Sequence, residues 1–203
     1  KDTYQTVLIE SGDHFGGPTT YSRAQNRQVF RFAFECWQEL IDSQKYQSVV
    51  MYKNFGPQSG GSLRHPHFQI VGLENYDVYQ NVSTANFTGV NVYQEQGLQI
   101  TISTRPIIGF LEINLKIPND DFVFKLADAA KAIIYVVLND YNHGTCDSYN
   151  LFFYHFNGAA YCKIVPRYPT SPYFVGYKIA QVQDMERLKA AAGRIRQLLK
   201  ASE

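Results

Sequence analysis

A strand, a long helix and a two-stranded hairpin follow one another twice along this chain, and few folds accommodate that order. In the first pass, residues 6–10 (TVLIE) are β-branched and apolar. The run from Ser11 to Pro18 is then turn chemistry. Residues 22–43 place Phe30, Phe32, Phe34, Trp37, Leu40 and Ile41 at mostly three- and four-residue spacing, which predicts a helix lying on a sheet. Strands follow over 48–54 and 65–73. In the second pass, strands are predicted over 111–115, 150–154 and 161–165, and a helix over 121–140. Gln69-Ile70-Val71 aligns with Lys163-Ile164-Val165 at an offset of 94 (163 − 69), and the same offset carries the helix at 27–44 onto 121–138. Val49 aligns with Asn150 at 101 (150 − 49), so the first hairpin holds about seven extra residues. The second closes on Asn157-Gly158, a tight-turn pair. The pattern predicts an α+β chain of two repeats, residues 1–88 and 89–203, each an antiparallel sheet carrying a long helix. The plainer account is that all strand–helix–hairpin units look alike.

At 203 residues such a pair can bury roughly 70% of its unfolded surface without disulfide or metal. Charged residues are only 18%, and 19 Lys+Arg stand against 18 Asp+Glu, which excludes broad electrostatic binding of nucleic acid. Fifteen tyrosines therefore read as core and subunit interface rather than a base-stacking platform, and a homodimer is allowed. Cys36, Cys146 and Cys162 form no even framework and no CxxC pair, Cys36 reading as core filler, so a reducing, cytoplasmic setting is expected. No apolar run reaches the roughly 18 residues a bilayer needs, so no membrane is expected. A first residue of Lys, with a strand starting almost at once, suggests a chain trimmed of its natural N-terminus.

The extra residues of the first hairpin carry the chemistry. They run from Asn54 through Gly56, Gly60, Gly61 and Ser62 to His65-Pro66-His67-Phe68-Gln69. Alternation along a strand puts His65, His67 and Gln69 on one face and Phe68 and Ile70 in the core. Pro66 cannot donate to a ladder, which fits an edge or a strand start. The glycines let backbone amides approach an anion, and Ser62 and Asn54 can add hydrogen bonds. A neutral imidazole beside such a cradle is a competent nucleophile toward phosphorus or an acyl carbon, once an acceptor fixes its tautomer.

This run resembles the active-site motif of the galactose-1-phosphate uridylyltransferase branch of the histidine-triad (HIT) superfamily: Asn-x-Gly, then Gly-x-Ser, then His-Pro-His-x-Gln. Glu10-Ser11-x-Asp13-His14 upstream and Tyr173 to Tyr177 downstream extend the likeness, as does a helix from Met185 to Leu199. An uncharacterised bacterial group of that branch is the nearest in phrasing. The resemblance implies two HIT-like repeats and a nucleotidyltransferase. It would move a nucleoside monophosphate from a nucleotide or nucleotide-sugar donor to a small phosphorylated acceptor. It implies His67 as the nucleophile, Gln69 as a phosphoryl ligand, and Asn54, Gly60, Gly61 and Ser62 as the phosphate cradle. It also implies His14 and His65 as half of a zinc site, whose remaining ligands in the relatives are an upstream cysteine pair outside this chain. Tyr177 falls in the sugar-phosphate loop. There Lys178 replaces a glutamate that meets sugar hydroxyls, so galactose 1-phosphate is disfavoured; Lys178, Lys163 and Arg167 favour a more anionic acceptor. The second repeat offers Ala159 and Tyr161 in place of the two histidines and reads as structural.

Plainer readings stand beside these. A His-Pro-His run can be a surface accident, His14 can satisfy a loop carbonyl, and His143 and His155 read as surface or hairpin residues. Arg105 and Arg167 can be salt-bridged sheet ends. A dinucleoside polyphosphate or nucleotide-sugar hydrolase or phosphorylase, or an idle nucleotide-binding module, are the alternative functions. The intact motif favours an enzyme, and glutamine in place of a third histidine favours transfer over hydrolysis.

Overall fold

The computed structural model describes residues 2–109, 111–179 and 184–201. The strands are β1 (Asp2–Ile9), β2 (Ser48–Phe55), β3 (His67–Leu73), β4 (Gly89–Glu95), β5 (Leu98–Ser103), β6 (Ile113–Ile117), β7 (Ser148–Phe156) and β8 (Ala159–Arg167). The helices are α1 (Arg23–Asp42), α2 (Val123–Asn139), α3 (Pro172–Tyr177) and α4 (Met185–Ala201). The fold is α+β, and instead of two sheets it has one of eight antiparallel strands, in the order β1-β3-β2-β7-β8-β6-β5-β4. Strands β4 and β5, which the sequence pattern had not suggested, extend one end.

The two hairpins meet at β2 and β7, where Tyr52 pairs Phe152. Tyr52 also pairs Gln69 across the first hairpin, and Phe152 pairs Lys163 across the second. Gln69 and Lys163 thus hold equivalent places on either side of the junction, and His67 answers to Tyr161. The first hairpin is six residues longer by this register, close to the expected seven. The second turns on Asn157 and Gly158, both with positive φ (51° and 77°), the geometry of a two-residue primed turn. Pro166 lies past the last β6–β8 pair at Ile164, so its missing N–H costs no ladder bond there.

Helices cover one face. The Ser22 hydroxyl caps α1 by accepting from the Gln25 amide at 3.1 Å. Val29, Phe30, Ala33, Phe34 and Trp37 form the buried stripe. Phe32 is exposed, although the spacing had counted it with the core, and Cys36 is half-buried. Phe30 meets Phe68 edge-on at 5.6 Å between centroids, and Phe153 joins them. Each such fully buried side chain contributes about 1.5–3 kcal/mol of transfer energy. Helix α4 lies against α2, β4 and β5, with Leu188, Ala192 and Ile195 buried. The opposite face is partly covered by the crossover between β3 and β4, where Phe87 packs on Tyr154, Phe156 and Tyr161. No helix among the described residues is long and apolar enough to cross a membrane.

Candidate active site

The β2–β3 loop folds back on the strand it leaves. Gly56 has φ +84°, and a Cβ there would come within 2.4 Å of the Asp147 carbonyl. Gly61 lies so close to β2 that a Cβ would meet that of Asn54 at 2.9 Å. The Ser59 hydroxyl donates to the Gly56 carbonyl (2.7 Å) and closes the turn. The second half of the chain then grips the loop. Asn150, opposite Asn54 in the ladder, donates its amide to Asn54 Oδ1 (2.6 Å) and to the Ser59 carbonyl (3.0 Å). Arg167 Nη1 donates to Asn150 Oδ1 (2.7 Å), and Ser148 Oγ accepts from the Gln58 amide (3.0 Å). Gly60 (φ +83°) and Ser62 remain at the exposed mouth.

His67 opens β3 with its side chain on the face away from the helices and only 3% of it exposed. Its Nδ1 lies 2.7 Å from the His65 carbonyl. A carbonyl only accepts, so Nδ1 carries the proton and Nε2 keeps its lone pair. Nε2 lies 3.2 Å from Gln69 Nε2, which must be the donor. That orientation points Gln69 Oε1 at Tyr52, whose hydroxyl donates to it at 2.9 Å. One carbonyl thereby fixes the sense of three successive bonds, and His67 Nε2 is left as a base held by the displaceable Gln69 N–H.

His65 continues the chain of bonds. Its Nε2 donates to the Ser11 carbonyl at 2.7 Å, leaving a lone pair on Nδ1. His14 Nδ1 faces that lone pair at 3.2 Å. Two imidazole ligands on a tetrahedral zinc, each about 2.0–2.1 Å from the metal, stand about 3.3–3.4 Å apart. The pair has the spacing of two corners of such a site, where the Ser11 bond would be the outer contact that orients the His65 ring. Among the described residues no group of three or more His, Cys, Asp or Glu converges to hold a metal. Beneath this corner, Lys53 and Glu10 form an ion pair with no exposed side-chain surface. Burial pulls Lys53 below the usual lysine range, and Glu10 opposes that shift. The Glu10 amide donates to the Pro66 carbonyl at 3.1 Å, so this pair anchors the strand end to His-Pro-His. Burial pushes the neighbouring Tyr21 phenol up to about 12.

The structure brings Asn54, Gly60, Gly61, Ser62, His65, His67, Gln69 and His14 to one end of β1–β3–β2. Lys163 lies elsewhere: it is 1% exposed, and its ammonium binds Glu112 Oε2 (2.5 Å), the Asn86 carbonyl (2.9 Å) and Ser103 Oγ (3.3 Å). An ammonium so committed does not meet a solvent-borne anion. Arg167, grouped with it in the sequence, does reach the loop, through Asn150. Tyr177 and Lys178 are exposed at the end of α3, with Lys178 as a left-handed cap (φ 55°); no hydrogen bond among the described residues joins them to the 54–69 loop. Sequence reasoning missed Tyr52 and Asn150. The available signal was a polar side chain in each strand beside the motif, Asn150 falling in the otherwise apolar run after Ser148.

Profiles of the two domains of unknown function DUF4931 match the chain, the N-terminal domain over residues 1–76 and the C-terminal domain over 79–197. Among solved structures, a DUF4931 family protein from Bacillus cereus is 40% identical, with a TM-score of 0.89 over 98% of this chain and 90% of that one. A uridylyltransferase mutant superposes with a TM-score of 0.74 at 13% identity, covering 98% of this chain and 79% of that one. An ADP-glucose phosphorylase from Arabidopsis thaliana, with bound ADP-glucose, gives 0.67 at 14% identity over 96% and 73%. No curated protein matches. Identities this low establish a shared fold, whereas the 40% relative and the two domain profiles establish the family. The chain belongs to the DUF4931 family and shares its fold with the uridylyltransferase structure.

Proposed function

We propose that this protein is a nucleotidyltransferase or phosphorylase that works by double displacement through His67. The observation that carries the reading is His67 itself: Nδ1–H on the His65 carbonyl, leaving on Nε2 a lone pair that meets the Gln69 amide. Nε2 attacks the α-phosphorus of a nucleotide or nucleotide-sugar donor. An N–P bond forms, the P–O bond to the leaving group breaks, and the His65 carbonyl takes the charge that builds on the ring through Nδ1–H. The Gln69 amide, released from Nε2, turns its N–H to a phosphoryl oxygen. Asn54, Gly60, Gly61 and Ser62 line the cradle. An oxygen of a phosphorylated acceptor then attacks the same phosphorus and frees the imidazole.

The acceptor decides between transfer, phosphorolysis and hydrolysis. A phosphate oxygen arrives already ionised, whereas water must lose a proton. Gln69 cannot take one, which favours a phosphorylated acceptor or inorganic phosphate. The neighbour that is a phosphorylase of ADP-glucose is consistent with the second. Lys178 on exposed α3 suits an anionic acceptor, and exposed Tyr173, Val175 and Tyr177 suit a homodimer contact there. Zinc at His14 and His65 belongs to the same proposal; it would hold the loop end in place, with its other ligands drawn from groups beyond those described.

The test is intact-mass spectrometry after brief incubation with nucleotide sugars, dinucleoside polyphosphates and nucleoside triphosphates, beside His67→Ala. The expected result is an acid-labile adduct of one nucleoside monophosphate, absent in the variant. Its mass names the nucleobase. Retained nucleotide binding with no adduct from any donor would reduce the site to a binding module.

A further inference from the structure

Behind the sheet, on the helix-covered face opposite His67, α2, α4 and the segment around Tyr168 line a cavity of about 650 Å³ that is open to solvent on one side. That volume lies within the range of small-molecule sites, about 300–1,000 Å³. Its walls are Val136 and Val137 of α2 and Ala191 and Ile195 of α4, with Ile113 of β6 between them. Such a lining takes an apolar or aromatic body and offers it little else.

One end is polar and unbalanced. Arg194 is bound to Asp140 by two 3.3 Å contacts, so that pair is neutral. Tyr141 and Tyr168 share a hydrogen bond at 3.3 Å between their hydroxyls. Arg187, which also lines the cavity, has no hydrogen-bonded or ionic partner among the described residues. Its charge reaches both phenols and opposes the rise that burial imposes on them. The cavity therefore presents an apolar pocket, a hydroxyl pair and one uncompensated guanidinium.

We propose that this cavity is a second ligand site, distinct from the His67 loop, for a small organic monoanion: an aromatic or aliphatic body with a single carboxylate, phosphate or sulfonate. The body fills the space between α2 and α4 and the anionic group meets Arg187. A guanidinium pairs with such groups through two parallel N–H bonds, and Arg187, exposed at the rim, gives selectivity for anions over neutral analogues. The site depends on no property of the proposed transfer reaction.

The probe is 8-anilino-1-naphthalenesulfonate, an aromatic body with one fixed negative charge, titrated into the full chain by fluorescence. The neutral N-phenyl-1-naphthylamine serves as control. The site predicts one saturable equivalent of the sulfonate. Arg187→Gln, a change at an exposed residue, is expected to weaken it at least about tenfold, as loss of a charge-assisted bond does, and to leave the neutral probe unaffected. Ala191→Phe fills the cavity and is expected to abolish binding of both, with circular dichroism confirming the fold. His67→Ala and excess nucleotide are expected to change nothing. Weak multi-site enhancement indifferent to Arg187→Gln would overturn the proposal, as would displacement by nucleotide. If Ala191→Phe unfolds the chain, Arg187→Gln and the neutral control still decide: equal loss of both probes, or of neither, is an overturning result.

Discussion

At the residue scale, the site depends on the polarity of one chain of hydrogen bonds. The His65 carbonyl sets the His67 tautomer, and Tyr52 keeps the Gln69 amide from turning over. Tyr52→Phe removes the hydroxyl donor and frees the amide to present its oxygen to His67. The expected result is a roughly tenfold slower formation of the nucleotidyl adduct, the worth of about one hydrogen bond, with little change in Tm. A rate equal to wild type would show that the amide is held by something else. Gly61→Ala tests the loop by shape instead. The added Cβ would stand 2.9 Å from that of Asn54, so the cradle must move by a few tenths of an ångström or more. Displaced positioning groups cost catalysis heavily, up to about a hundredfold for an ångström. Adduct formation is expected to fall between about ten- and a hundredfold, while thermal melting shows the rest of the fold intact. The motif itself was legible because its residues are neighbours in sequence. Asn150 and Arg167 were not legible as its supports, since they come from strands nearly a hundred positions away and only the β2–β7 register brings them in.

Elements were legible where their burial alternates, and less so where both sides are covered or both are open. α1, α2 and the two hairpins fall close to their expected places because apolar spacing marks their buried faces, and α4 falls where the family resemblance implied it. β4 escaped because most of its residues face solvent at the edge of the sheet; its partner β5 does alternate, with Leu98, Ile100 and Ile102 buried, and was a signal left unread. Lys163 was misplaced for a related reason: alternation gives its face correctly, but not that Glu112 and the Asn86 carbonyl wait there. His155, read as a surface or hairpin residue, lies in the β7–β8 hairpin, half-buried against Trp37 with ring centroids 4.2 Å apart and Nε2 buried and unpaired among the described residues. Burial lowers its pKa, and the nearby carboxylates Asp120 and Asp42 only partly restore it. In the unfolded chain it titrates near 6.5, so below that pH the unfolded state binds more protons and stability falls as pH falls. His155→Phe keeps a ring against Trp37 and removes the proton. Denaturant titrations from about pH 7 down to 5 are expected to show a shallower loss of stability in the variant, the difference being at most about 1.4 kcal/mol per pH unit. An unchanged slope would assign the acid sensitivity to other groups.

At the scale of the whole molecule, the two repeats do not behave as beads on a string. One sheet passes through both, and among the described residues its junction, β2 against β7, is also where the β2–β3 loop is anchored. Separating the halves would bare two long strand edges and expose Phe153, which packs on Phe30, Phe34 and Trp37 of the other half. It would also cut the Asn150 bonds that hold Asn54 and Ser59. The second half, which has no His-Pro-His run, therefore serves the first mechanically: Phe153 completes its core and Asn150 and Ser148 hold its loop. Unfolding should then be a single event. Trp37 is the sole tryptophan, fully buried in the first half, and its indole donates to the Val49 carbonyl at 3.2 Å while its ring touches Phe153 and His155 of the second. Its fluorescence reports the junction, while far-ultraviolet circular dichroism reports both halves together. The two denaturation curves are expected to coincide, with one midpoint and one m-value, as a two-state transition requires. A tryptophan transition that precedes the loss of helix would mean that the halves part before they melt, and that the cradle could be opened without unfolding either.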